Sequence, residues 1–251
     1  MMREDTVFGP IRSRRLGASL GINLLPRRGK LCNFDCIYCE CGWNKDGRDD
    51  KTLPTALEVR RALEDKLAGL MLEGRHIDSI TFSGDGEPTL HPEFPQIVAD
   101  TLLLRDGFFP DAKVSVLTNA TRLGDEAVVA ALLKVDNPIL KIDAASPEDI
   151  RRVNRPSFPY DLEAVKENIR RFDGNFILQT MFLRTEDGYD ATQPGRVQAW
   201  MDLVRALQPR AVQCYSLDRP APQAGLVKIP VEELRKLVRP LVEEGFSVDC
   251  Y

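Results

Sequence analysis

Residues 77–88 read Ile-Asp-Ser-Ile-Thr-Phe-Ser-Gly-Asp-Gly-Glu-Pro, an apolar run that ends in a two-glycine turn and then a carboxylate. Ile77–Ser83 has the length and side-chain content of a buried strand. Gly84 and Gly86 let the backbone turn sharply and approach a ligand closely. Glu87 then stands at the carboxyl end of the strand, where a carboxylate can receive an ammonium group. No Gly-Lys-Ser/Thr follows, so this is not a phosphate loop. Taken alone, the turn also fits an ordinary tight connection from strand to helix.

Working outward, Thr55-Ala-Leu-Glu58 has the form of a capping box, and Val59, Leu63, Leu67, Leu70 and Met71 follow at helical spacing. A helix is expected over His91–Arg105. Further strands are expected at Leu20–Leu25, Lys113–Leu117, Ile139–Ile142, Asn175–Leu183 and Ala211–Tyr215. Helices are expected at Asp125–Lys134, Leu162–Phe172, Arg196–Leu207 and Val231–Glu244. Pro147–Val153 reads as a turn, Asp218–Gly225 as a loop and Phe246–Cys250 as a short last strand. Strand alternating with helix implies right-handed βαβ units and a parallel sheet covered by helices. Six such units give an α/β fold, a partial (β/α)6 parallel barrel. No Pro/Gly/Ser-rich linker divides the chain, so residues 1–251 are expected to form a single domain. Functional residues in such sheets gather at the carboxyl ends of the strands.

Composition sets the outer limits. Hydrophobic residues make up 43% and charged residues 29% of 251, ordinary values for a protein with a sizeable core. The N-terminus has no apolar signal region, and no run approaches the roughly 18 apolar residues that a membrane span needs. A cytoplasmic protein with no membrane partner is the expectation. Four of the six cysteines lie between 32 and 41, which suits metal binding better than a secreted disulfide framework. The net charge is −4, unevenly spread: residues 1–31 carry seven basic side chains against Glu4 and Asp5. This basic segment leads into the cysteine loop. It could meet an anionic substrate, a nucleic acid or an acidic electron donor, or be a solvated loop with local ion pairs.

The loop reads Leu31-Cys-Asn-Phe-Asp-Cys-Ile-Tyr-Cys-Glu40, a C-x3-C-x2-C spacing. Three thiolates are one short of a closed tetrahedral site, so a metal or cluster held here keeps an open position. Cys41 is too close to Cys39 to complete the same site comfortably. Two readings remain at this point. One is a metal-cluster enzyme. The other is a non-enzymatic zinc or Fe–S module, with Cys32, Cys36, Cys39 and Cys41 holding the metal and the basic segment binding nucleic acid. Zinc modules usually pair two C-x2-C elements, and no second pair exists in this sequence.

The cysteine loop after the first strand and Gly-x-Gly-Glu-Pro after the second together resemble the radical S-adenosylmethionine (SAM) superfamily. Tyr38, just before the last cysteine of the triplet, fits that pattern, and the resemblance extends over nearly the whole chain. It implies that Cys32, Cys36 and Cys39 ligate three irons of a [4Fe–4S] cluster, whose open iron chelates the amino and carboxylate groups of SAM. It also implies that Gly84, Gly86 and Glu87 match the family's Gly-Gly-Glu element, which bonds the methionyl ammonium, with Asp85 inserted. Tyr38 would lie against adenine. Asn119, Lys141, Asp143 and Gln179, at strand ends, match places where relatives bind SAM or substrate. As residues they equally fit a turn asparagine and a local ion pair. The implied activity is reductive cleavage of SAM, with electrons from a flavodoxin or ferredoxin-type donor. The resulting 5′-deoxyadenosyl radical would abstract hydrogen from a substrate.

Within the superfamily, Phe8-Gly-Pro-Ile-Arg-Ser-Arg-Arg-Leu-Gly17 and Val153-Asn-Arg-Pro156 look like the group related to tRNA wybutosine-synthesis enzymes. The chain departs from those enzymes in having no cysteine before Cys32, hence no second cluster set. That argues against their pyruvate-condensing reaction and leaves an RNA substrate open without favouring it. Cys41 is the candidate catalytic thiol, as radical donor or thiol partner, or else an accessory ligand or incidental. Cys214 and Cys250 read as small buried hydrophobes. His76 and His91 have no partner at metal-ligand spacing. Arg155 and Arg219 each precede a proline, which biases them toward extended backbone. As a pair at the strand ends they suit a carboxylate or phosphate substrate. Singly, each also fits a loop-anchoring ion pair.

Overall fold

The computed structural model describes residues 5–26, 29–46 and 52–251, so Arg3, Arg27 and Arg28 of the basic segment lie outside the described residues. The chain forms two compact units. One comprises Met1–Cys32, Asn44–Thr118 and Arg122–Pro138, the other Asn33–Trp43, Asn119–Thr121 and Ile139–Tyr251.

In the first unit the strands are β1 (Val7–Ser13), β2 (Gly17–Ile22), β3 (Ser79–Phe82) and β4 (Lys113–Thr118), hydrogen-bonded in that order. β1 pairs antiparallel with β2, whereas β2–β3 and β3–β4 are parallel and in register, with Ser19 beside Ser79 and Ser79 beside Lys113. Helices α1 (Ala56–Leu72), α2 (Phe94–Phe108) and α3 (Glu126–Leu132) bury Leu63, Leu67, Phe94, Ile97 and Val129. The capping box is present: Glu58 N donates to Thr55 Oγ1 at 3.2 Å and Thr55 N donates to Glu58 Oε2 at 2.7 Å. Such a cap contributes about 0.5–2 kcal/mol to helix stability. The strand interior is not wholly apolar. Ser19, Thr81, Ser79 and Ser115 form a buried chain of hydroxyls at 2.7, 3.0 and 3.1 Å, closed by the Asn137 amide at 3.0 Å. Ser79 Oγ also donates to Lys113 O at 2.9 Å, so the hydroxyls of the row serve as partners to one another and to the backbone.

The chain enters the second unit within β5 (Asn137–Lys141) and continues through α4 (Pro147–Val153), α5 (Leu162–Ile169), β6 (Ile177–Met181) and β7 (Leu183–Thr185). Then come α6 (Pro194–Leu207), β8 (Ala211–Tyr215), β9 (Leu226–Lys228), α7 (Val231–Glu243) and β10 (Val248–Cys250). β5–β6, β6–β8 and β8–β10 are all parallel, and β7–β9 make a separate antiparallel pair. The alternation of strand and helix expected from the sequence is therefore present throughout.

Four features differ from expectation. β1 was not expected: it carries Pro10 and charged Arg12, is mostly part-exposed, and sits at an edge, where a strand need not show an apolar pattern. The strand expected over 175–183 breaks at Phe182, which leaves β7 free to pair with β9. Leu226–Lys228, to which the sequence assigns no element, is that partner, and two of its three residues are exposed. Pro147–Val153 is a helix rather than a turn, because the Ser146 hydroxyl accepts from Asp149 N at 3.1 Å and Pro147 occupies the first position.

Candidate active site

The glycine turn after β3 wraps around one side chain. Asn23 Oδ1 accepts from the backbone N–H of Leu25 and of Asp85, both at 3.2 Å, and a Cβ on Gly84 would lie 2.1 Å from that oxygen. Beyond it the turn meets the start of the cysteine loop. Leu31 N donates to Asp85 O and Glu87 N donates to Leu31 O, each at 3.0 Å. A Cβ on Gly86 would lie 1.8 Å from Leu31 O, and Gly86 has φ +145°. The second glycine is thus required by the backbone of the residue preceding Cys32.

Glu87 follows, 3% exposed. Its Oε1 accepts from Thr89 N at 3.1 Å, from Thr89 Oγ1 at 2.6 Å and from Thr118 Oγ1 at 2.6 Å. Thr118 is the last residue of β4, so two strand ends converge on one carboxylate oxygen.

In the second unit the cysteine loop is held by backbone and side chain alike. Asp35 N donates to Asn154 O, Ile37 N to Val153 O and Ser157 N to Asn33 O, all at 2.9 Å. The Val153–Pro156 motif is therefore the strip on which the loop lies. Asn119 Nδ2 donates to Asn33 Oδ1 at 2.7 Å, Asn33 Nδ2 to Thr121 Oγ1 at 2.7 Å, and Thr121 N and Oγ1 return to Asn119 Oδ1 at 3.1 and 2.7 Å. Cys39 N to Cys36 O at 3.1 Å and Gly42 N to Cys39 O at 3.0 Å close two successive turns around the last thiols. Cys32, Cys36, Cys39 and Cys41 are all part-exposed.

Lys141 and Asp143 meet on the same side of this loop. Lys141 Nζ donates to Asp143 Oδ1 at 2.9 Å and to Tyr215 Oη at 2.8 Å, and it stands 4.4 Å from the centre of the Tyr38 ring. Asp143 also accepts from the Tyr38 hydroxyl, from Met181 N at 2.9 Å and from Asn154 Nδ2 at 2.5 Å. Asn154 Nδ2 reaches Cys36 Sγ at 3.4 Å as well. Burial pushes the Cys36 thiol up to about 11, while Lys141 and Asn154 pull the other way. Burial alone would lower the Lys141 ammonium, but Asp143 and Tyr215 hold it above its ordinary value. Burial and Asp143 raise the Tyr38 phenol. Gln179, buried on β6, donates to Gln213 Oε1 on β8 at 3.0 Å.

Neither arginine candidate stands alone. Arg155 Nη2 donates to Gln223 Oε1 at 2.7 Å and its guanidinium lies 4.9 Å from the Trp43 ring. Arg219 Nη1 pairs with Glu40 Oε2 at 2.7 Å, with both side chains about half exposed (60% and 48%). Both contacts tie the 218–225 loop to the end of the cysteine loop or to the 153–157 strip. Arg155 is not extended: its φ of +47° and its N–H bond to Ile150 O at 3.2 Å make it the left-handed residue that ends α4. Asn33, Thr118, Asn154, Gln213 and Tyr215 belong to these networks and were not singled out as site residues. The signal available for Asn154 was its place in Val153-Asn-Arg-Pro156, and for Thr118 its place at a strand end. His91 is a packing residue, buried, with Nε2 2.8 Å from Pro54 O.

A model of the radical SAM superfamily matches residues 28–186, more than half of the chain. The chain belongs to the radical SAM superfamily. A UPF0026 protein of Synechocystis is 32% identical over 86% of this chain and 77% of its own length. A UPF0026 protein of Methanocaldococcus jannaschii is 32% identical over 70% of this chain and 53% of its own. The GTPase Obg of Brachyspira hyodysenteriae is 26% identical over 99% of this chain, which spans 34% of that protein. This radical SAM chain is therefore shorter than its curated relatives, markedly so in two of these three. Among solved structures, a radical SAM methyltransferase from Sphaerobacter thermophilus superposes with TM-score 0.67 at 16% identity, covering 93% of this chain and 65% of that one. Streptococcus suis SuiB bound to S-adenosylmethionine gives 0.67 at 13%, covering 92% and 50%. Those likenesses carry the fold: α/β, and consistent with a partial barrel of the radical SAM type. None of these relatives bears on the wybutosine-related subgroup.

Radical SAM enzymes use a [4Fe–4S] cluster and SAM, and these are the cofactors of this enzyme. The donor set fits them. Three soft thiols occur in one loop, and Cys36 receives an N–H on its sulfur, as cluster sulfurs commonly do. Among the described residues no three Cys, His, Asp or Glu side chains are grouped to hold one metal ion. Cluster thiolates bind separate irons, so they need no such single point. Among the described residues, no helix is long and apolar enough to cross a membrane.

Proposed function

We propose that Cys32, Cys36 and Cys39 ligate the cluster, that the Gly84–Glu87 turn receives the methionyl end of SAM, and that the enzyme removes hydrogen from an anionic substrate. The observation that carries this reading is the pair of backbone hydrogen bonds, Leu31 N to Asp85 O and Glu87 N to Leu31 O, which fastens the residue before Cys32 to the turn. When bound and reduced, the cluster and SAM supply a 5′-deoxyadenosyl radical that abstracts hydrogen.

The residues of the chain bind and orient. Glu87 presents a buried carboxylate whose Oε1 is oriented by Thr89 and Thr118, and this carboxylate would meet the methionyl ammonium. Tyr38, fixed through its hydroxyl, offers its ring to adenine. Asn154 places an N–H on Cys36 sulfur, where it draws charge from the thiolate and favours the reduced cluster. Lys141, Asp143, Asn119 and Gln179 complete the SAM-facing set, acting through the networks above. Arg155 and Arg219 each use one of five guanidinium donors on Gln223 and Glu40, which leaves donors for a substrate carboxylate or phosphate. Cys41 is the candidate catalytic thiol, not a cluster ligand. Electrons come from a flavodoxin or ferredoxin-type protein in the cytoplasm, and residues 1–251 act as one core.

Anaerobic reconstitution with iron and sulfide tests this. A protein binding about four irons and forming 5′-deoxyadenosine from SAM under dithionite is expected. Cys32→Ala, Cys36→Ala and Cys39→Ala should each abolish cleavage, whereas Cys41→Ala should keep its iron. Stoichiometric zinc with no cleavage overturns the reading. Transfer of deuterium from a labelled carboxylate or phosphate compound into 5′-deoxyadenosine identifies the substrate. Arg155→Gln and Arg219→Gln that left its affinity untouched would count against an anion.

A further inference from the structure

Cys214 and Cys250 lie side by side. The parallel register of β8 and β10 pairs Val248 with Val212, Asp249 with Gln213 and Cys250 with Cys214. In-register residues on neighbouring parallel strands point to the same face, with backbones about 4.8 Å apart. That spacing falls within the roughly 4.4–6.8 Å between Cα atoms that a disulfide spans. Each thiol perturbs the titration of the other. Cys214 is fully buried and Cys250 is half-buried. The expectation of two buried thiols holds for Cys214 and fails for Cys250, which is part-exposed.

We propose that Cys250 and Cys214 form a redox-active dithiol, with Cys250 the attacking and Cys214 the resolving thiol, oxidised reversibly by a low-molecular-weight disulfide. Their unequal settings support this division of roles. The neighbouring Cys214 thiol and the Arg235 cation lower the Cys250 thiol, while burial raises Cys214. A thiolate-prone, accessible sulfur beside a second cysteine is the arrangement of a reversible thiol pair.

The exchange balances. Cys250 thiolate attacks one sulfur of glutathione disulfide, and one glutathione thiolate leaves. Cys214, losing its proton, attacks the Cys250 sulfur of the mixed disulfide, and the second glutathione leaves. Two protein thiols are oxidised to one disulfide, and one small disulfide is reduced to two thiols carrying the two protons. The product would join the last strand covalently to its neighbour.

The test uses the iron-loaded full chain, equilibrated without oxygen in glutathione buffers of rising disulfide content. Samples are quenched with iodoacetamide and mapped by mass spectrometry. The expected result is a linked peptide pair containing Cys214 and Cys250, two hydrogens lighter than its parts, with both thiols lost to alkylation and regained on reduction. Because Cys214 is fully buried, the substitution test rests on Cys250. Cys250→Ser should remove the linked pair and leave Cys214 without glutathione. The proposal is overturned if Cys250 stays alkylatable at every buffer composition. A persistent glutathione adduct on Cys250, or a linked pair that appears only in denaturant, overturns it equally.

Discussion

Two buried carboxylates stand at strand ends, one in each unit, and different donors orient them. Asp143 is bonded by an ammonium, a phenol, an amide and a backbone N–H, and its charge is answered by Lys141 at 2.9 Å. Glu87 Oε1 is bonded by two hydroxyls and a backbone N–H, all neutral. We therefore treat Asp143, which fixes Tyr38, Asn154 and Met181 relative to the cysteine loop, as an anchor, and Glu87 as the proposed receptor of the methionyl ammonium.

The largest effect is expected on the anchor. Lys141→Met keeps the bulk of the stem but leaves Asp143 without its cation, and breaking a buried pair costs about 3–5 kcal/mol. The Lys141 side chain is 20% exposed, so the lower end, about 3 kcal/mol, is expected from urea unfolding. Lys141→Met with Asp143→Asn should recover part of that loss, because the uncompensated charge is gone. A double variant as unstable as the single one would mean that Asp143 acts through shape alone, and the contrast with Glu87 would collapse.

Glu87→Gln is the matching test on the receptor. The amide is nearly isosteric and retains an acceptor for Thr89 and Thr118, so stability should shift by less than about 1 kcal/mol. A charge-assisted hydrogen bond is worth about 1.5–3 kcal/mol, so SAM should bind on the order of 10- to 100-fold more weakly to the reconstituted variant, measured by anaerobic calorimetry. Unchanged affinity with a large loss of stability would reverse the assignment and make Glu87 the anchor.

What the sequence made legible follows from which interactions are local. The α1 capping box, the β8 strand and the β3 turn each depend on residues within a few positions of one another, and all three were readable. Gly86 was readable as a close-approach glycine, but not that Leu31 O is what approaches it. That contact joins residues far apart in the chain. The same holds for Lys141 and Asp143: spacing suggested a local ion pair, yet Asn154 and Tyr215, which complete the network, come from other elements. Arg155 shows the reverse error. The following proline argued for extended backbone, but the end of α4 overrides it and imposes a left-handed residue. β1 and β9 escaped because edge strands with half-exposed side chains carry no alternating signal.

The smallest effect bears most directly on whether Glu87 is merely oriented or is itself part of the framework. Thr118→Val removes the hydroxyl that donates to Glu87 Oε1 at 2.6 Å and keeps the β-branched shape that suits the end of β4. Thr89 still donates twice to the same oxygen, so the carboxylate keeps its charge and most of its aim. With the two Thr89 donors still in place, losing this third donor should cost about 1 kcal/mol, or roughly fivefold in SAM affinity. Combined with Glu87→Gln, the Thr118→Val effect should shrink, since a charged acceptor gains more from that hydroxyl than an amide does. If Thr118→Val alone costs as much affinity as Glu87→Gln, the hydroxyl is positioning SAM or the strand end itself. The charge of Glu87 would then not be what receives the cation.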